Sequence, residues 1–169
     1  IQRISLSSAA LETTTTTFAS GAINLAIPDN SPAGITTAPI VLPATAIATA
    51  SNLRVRINAT HTWVGDLTFR LNSPCGTTFL FDRPGVPASG VGVGNSNNLS
   101  GVYTFDLSAA TVLSETGLVP SGTYRPSDAA GAAHNWAGAT FPCAGAGNWT
   151  LTISDNAGGD FGTLADWSI

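Results

Sequence analysis

Eleven consecutive residues, 53–63, alternate without a break between two classes of side chain. Leu53, Val55, Ile57, Ala59, His61 and Trp63 share one side of an extended chain, and Arg54, Arg56, Asn58, Thr60 and Thr62 share the other. Period two over that length predicts a strand with one buried and one wet face. Gly65-Asp66 reads as a turn, after which Leu67, Phe69 and Leu71 resume the inward set. Asn72-Ser73-Pro74-Cys75-Gly76 reads as a second turn, and the spacing predicts a strand over 78–81. Three more strands are expected at 102–107, 149–154 and 163–169, while 83–101, rich in Gly, Pro, Ser and Asn, reads as a long exposed loop. The stretch 108–147 carries scattered apolar residues and many Gly and Ala, and gives no clear layout. Nowhere do apolar positions recur at helical spacing for three turns. Short apolar runs with Gly, Pro, Asn and Asp between them, from about Phe18 onward, are the pattern of an all-β sandwich or barrel.

The chain has 169 residues, enough for one domain. We read 18–169 as that domain and 1–17, which ends in the run Thr13 to Thr17, as a linker or loosely ordered N-terminal segment. Charged residues make up 9% against a usual value of about 25%, and every basic residue is an arginine. A net charge of −4 and a pI of 4.7 argue against nucleic acid or an anionic membrane as partner, since both call for a basic patch. A monomer is expected. The absence of an initiator Met and of an apolar leader suggests that a targeting segment has been removed or that the chain is part of something longer.

Cys75 and Cys143 are the only cysteines and are too far apart for a CxxC metal or redox motif. A disulfide between them would stabilise the fold by about 4 kcal/mol through the long loop it closes, and would place the protein in an oxidising, secreted setting. Two buried thiols are the alternative.

Catalytic signatures are missing. Two histidines cannot supply HExxH, and GxSxG does not occur. His61 falls on the apolar face of its strand, where a hydrogen-bonded core histidine is expected ahead of a general base. The aspartates say more. Eight of the ten acids are Asp, most of them at predicted strand ends or turns, and the loop 155–162 contains Asp155 and Asp160 among three glycines. Short carboxylates and backbone carbonyls on turns are what Ca²⁺ requires. The competing reading is that these residues cap turns by accepting bonds from nearby amides.

The string His61-Thr62-Trp63-Val64-Gly65-Asp66-Leu67, followed by Leu71-Asn72-Ser73-Pro74-Cys75-Gly76-Thr77, resembles the core of the P domain (P/Homo B domain). That domain follows the catalytic domain in subtilisin-like proprotein convertases and in many secreted bacterial proteases. Further landmarks appear in order: Ile27-Pro28-Asp29, Tyr103-Thr104-Phe105-Asp106, Gly122-Thr123-Tyr124-Arg125-Pro126, Gly147-Asn148-Trp149, Asp160-Phe161-Gly162 and Trp167-Ser168-Ile169. Val64-Gly65-Asp66 stands where eukaryotic convertases carry Arg-Gly-Asp, and Asn135-Trp136-Ala137-Gly138 replaces their Trp-Gly-Glu, which points to a bacterial protease appendage. The resemblance implies a jelly-roll-like β-sandwich of about eight mainly antiparallel strands. It implies a non-catalytic C-terminal accessory role: the partner is a catalytic domain, serine or metallo, ahead in the same chain, which the module stabilises or regulates, with aid in binding protein substrate. It also implies Ca²⁺, carried over to Asp66, Asp106, Asp155 and Asp160. The alternative is a free-standing carbohydrate- or protein-binding jelly roll, for which Trp63, Tyr124 and Trp136 would form the exposed aromatic surface. Trp149 and Trp167, which alternate with polar residues, read as core.

Overall fold

The computed structural model describes residues 14–44, 49–136 and 146–169. Ten strands account for nearly all its regular structure: β1 (Leu25–Ile27), β2 (Ser31–Thr36), β3 (Ile40–Leu42), β4 (Arg54–His61), β5 (Leu67–Ser73), β6 (Gly76–Asp82), β7 (Leu99–Asp106), β8 (Gly122–Tyr124), β9 (Gly147–Asp155) and β10 (Gly162–Ser168). They form two sheets. The first runs β1-β10-β4-β7-β8, and the second runs β2-β9-β5-β6, with β3 also paired to β9. All pairings are antiparallel except β7 with β8. This is the all-β sandwich expected from the sequence, with ten short strands in place of about eight.

The inner faces come from period-two alternation. Val55, Ile57 and Ala59 of β4 and Tyr103 and Phe105 of β7 meet Leu67, Phe69 and Leu71 of β5 and Trp149, Leu151 and Ile153 of β9, all buried. Two bulges adjust the pattern. Between Leu164 and Asp166 the register against β4 shifts by one, so Leu164 and Trp167 both face inward although three positions apart. The extra residue, Ala165, gives its carbonyl to the amides of Ile23 and Asn24. A second bulge, opposite the Phe69/Arg70 step, lets the neighbours Leu80 and Phe81 both enter the core. Phe81 stacks on Phe69 and Phe105, with ring centroids 5.0 and 5.8 Å away, and so ties the sheets together.

The segment after β6 corrects the sequence reading in two respects. The strand expected at 102 begins at Leu99, and the loop before it is not wholly exposed, because Val86 and Asn95 are buried. Asn95 organises the loop: its amide group donates to the carbonyls of Ser114 (2.7 Å) and Gly117 (2.8 Å), and its own oxygen accepts from the backbone and side chain of Asn97.

Register fixes the two ends of the sandwich. At one end lie Arg54, Asp106 and Ser168; Phe18 exchanges both backbone hydrogen bonds with Ile169 there, so residues 14–18 enter at that end. At the other end lie His61, Leu99, Gly162, Leu67 and Asp155. No described helix is long and apolar enough to cross a membrane.

Candidate functional site

The second of those ends collects most of the acidic turn residues. After β4 the chain passes through a single 3-10 turn, Val64–Asp66, whose three residues are all buried, and enters β5. The absence of a side chain at Gly65 makes this possible, since a Cβ there would run into the backbone of Gly94 and Asn95. The two backbones lie in contact, and Val64 and Gly65 donate to the carbonyls of Asn97 and Asn95, each at 2.9 Å. Arg83 fastens the same loop by directing its guanidinium at the carbonyls of Gly65, Gly90 and Gly92.

The loop after β9 covers the opposite flank. Asn156 donates from both its backbone (2.9 Å) and its side chain (2.7 Å) to the Asp66 carbonyl. The Thr62 hydroxyl donates to Asp160 Oδ1 at 2.7 Å and accepts from the Phe161 amide. Asp29 takes the Gly159 amide at 3.0 Å. Asp66, Asp155 and Asp160 are therefore brought to one place by two chain segments, the turn after β4 and the loop that follows β9.

Their environments differ. Asp155 is fully buried; its Oδ2 lies 3.1 Å from His61 Nε2, also fully buried, and its Oδ1 accepts the Ala157 amide. At this distance a proton on His61 Nε2 would be donated to Asp155 Oδ2. His61 Nδ1 faces both the Trp63 carbonyl (2.9 Å) and the Trp63 amide (3.2 Å). One ring position thus serves the neutral imidazole, which accepts from the amide, and the imidazolium, which donates to the carbonyl. Among the described residues no hydroxyl or thiol bonds to this ring.

Asp66 is the anomaly. The residue is 2% exposed, and its carboxyl accepts no hydrogen bond from the described residues. Burial raises its pKa to about 6, helped by the charges of Asp155 and Asp160 and partly opposed by His61 and Arg83. Its oxygens are not among the fully buried, unpartnered side-chain atoms and so keep a narrow contact with solvent; what marks the group is the raised pKa, the sign of a carboxylate short of positive charge. As a fit to Ca²⁺ the cluster offers one unspent carboxyl in Asp66, the open Oδ2 of Asp160, and backbone carbonyls; Asp155 is already engaged on both oxygens. Among the described residues no three His, Cys, Asp or Glu side chains converge at coordinating distance, so an ion here would draw on carbonyl oxygens and water as well.

The remaining expected site residues fall elsewhere. Asp106 belongs to the other end, which removes it from this acidic group. It sits directly across from Arg54 and bonds it, and Oδ1 accepts the Ser108 amide at 2.8 Å. Burial alone would raise the Asp106 pKa, but Ser108 and Arg54 outweigh it and hold the carboxyl below its usual range. The aromatic surface is corrected too. Trp136 is fully buried with its indole N–H on the Ala50 carbonyl, and Tyr124 is buried with its hydroxyl on the Pro120 carbonyl at 2.6 Å. Both side chains complete the core, whereas Trp63 stays half-buried with its indole N–H given to Val93. Cys143 lies outside the described residues, and with it the expected Cys75–Cys143 bond. Thr62, Asn156 and Arg83, which shape the acidic end, carry no spacing signal that would have singled them out. No protein-family model, no curated protein and no solved structure matches the chain.

Proposed function

We propose that this chain is a non-catalytic accessory module of a secreted bacterial protease, of the P-domain kind, and that its acid-lined end binds calcium. The observation that carries the calcium reading is the Asp66 carboxyl, which takes no donor from the described residues and whose pKa is raised to about 6 by burial and by Asp155 and Asp160. Asp66 and Asp160 would hold the ion together with turn carbonyls, and the ion would neutralise charge that the fold leaves uncompensated. The ordered motifs support the accessory reading, with a catalytic domain ahead in the same chain as partner and a Cys75–Cys143 disulfide suited to secretion. His61 and Asp155 then serve as a buried brace that fixes the ends of β4 and β9.

Calorimetry of the purified chain tests the calcium reading. The melting temperature should rise in millimolar Ca²⁺ and return in chelator, since a ligand selective for the native state stabilises by about 2.7 kcal/mol at a hundredfold excess over Kd. A melting temperature indifferent to both leaves the aspartates as turn caps. Hydrolysis of casein by the pure chain would overturn the accessory reading.

A further inference from the structure

We infer that a second site, at the end away from the acidic cluster, takes one ring of an uncharged saccharide. Residues 15–17 cross the outer face of the first sheet and, with Phe18, close one side of a cleft of about 250 Å³. Arg54 and Arg56 of β4, Thr104 of β7 and Asn52 line it. The cavity is smaller than the usual drug-sized pocket, which sets the ligand at about one ring.

The charges in the cleft decide the class of ligand. Arg54 is bonded through Nε to Asp106, and Arg56 through Nη1 to Asp166, whose other oxygen accepts from Asn58 at 2.9 Å. Two guanidiniums stand against two carboxylates, so these four side chains add no net charge at the cleft and give a free anion little to be drawn by. Each ion pair tethers its guanidinium by one nitrogen, while both Nη groups of Arg54 and the Nε and Nη2 of Arg56 meet no acceptor among the described residues. Planar donors beside the hydroxyl acceptors of the cleft match a ligand whose vicinal hydroxyls each donate and accept. Phe18 supplies the apolar side against which the C–H face of a sugar ring packs. This cleft and the calcium reading stand at opposite ends of the sandwich, so either can fail alone.

The test is a titration of the ¹⁵N-labelled chain followed by amide chemical shifts. The probes are methyl glycosides of glucose, galactose, mannose and N-acetylglucosamine, with sodium acetate and sodium sulfate as anionic comparators. At least one glycoside should move the amides of Arg54, Arg56, Thr104 and Ser168 along a saturable curve, with Kd on the order of 1 mM, unchanged by added salt. Thr16→Trp fills the cleft from its exposed rim, away from the ion pairs, and Thr104→Phe fills it from β7, directly opposite Arg56; each should weaken binding by about tenfold or more. Saturation by acetate or sulfate with no response to glycosides overturns the proposal in favour of an anion site. So does a panel in which no glycoside moves these signals.

Discussion

Replacing Asp66 by asparagine tests whether the acidic end is short of positive charge. The Asp66 pKa stands at about 6 in the fold against an ordinary 3.8. Keeping the carboxylate charged at pH 7.5 without an ion therefore costs about 3 kcal/mol. The sign follows from proton binding: the native state holds this proton more tightly than the unfolded chain. Its contribution is thus fully present below pH 3.8 and is lost as the pH rises through about 6. Asp66→Asn removes that loss while adding an amide with no evident acceptor, so the net gain at pH 7.5 in chelator should be about 1–3 kcal/mol. For a domain this size that is a rise of about 3–8 °C in melting temperature. In saturating Ca²⁺ the ranking should narrow or reverse, because only the wild type gains from the ion. Urea denaturation from pH 4.5 to 8, with chelator and with Ca²⁺, measures both. If the variant is less stable than wild type in chelator, or the two share one pH slope, Asp66 is not an uncompensated charge and the argument fails.

Asp106 should behave in the opposite sense. Its depressed pKa contributes stability at neutral pH that disappears as the pH falls below about 4, and Asp106→Ala should cost about 1–2 kcal/mol. Arg54→Ala should cost less than about 1 kcal/mol in the same denaturation assay, because Arg54 is half exposed and Asp106 keeps the Ser108 amide. Trp136→Ala should cost about 3–5 kcal/mol as a core deletion, against about 0.5 kcal/mol or less for Phe161→Ala at a side chain 68% exposed. Equal effects at the two positions would restore Trp136 to the surface.

How much of this was legible in the chain depended on whether side chains or backbone did the organising. The strands β4, β7 and β9 announce themselves, because their inward residues are large and strictly alternate. The strands β1, β2 and β3 do not: they are short, and β2 holds Pro32 and Gly34 and a register break against β9. Their place is set by backbone bonds to a partner more than a hundred residues away. The inward set of β10 is only half visible: alternation marks Trp167, but the bulge at Ala165 sets Leu164 in the other phase although it too is buried. At the site, turn position alone could not tell which end of the sandwich an aspartate occupies. Asp66 follows the last residues of β4, whereas Asp106 pairs with its first, so two similar strand-end acids finish at opposite poles. Trp136 misled for a different reason: its Gly- and Ala-rich neighbours show no periodicity, and only the fold sets it against Ala50 with a positive φ of 53°.

The margins of the two sheets have a bearing on how such a domain behaves in company. β1 and β8 are three residues each, β2 is interrupted by proline, and on β6 the Leu80 carbonyl is already taken by the Ser127 amide. Among the described residues, the margins at β1, β8 and β2 give a foreign strand no long row of vacant donors and acceptors to extend, and β6 is interrupted at Leu80, which limits the template for fibril growth when many copies are crowded together.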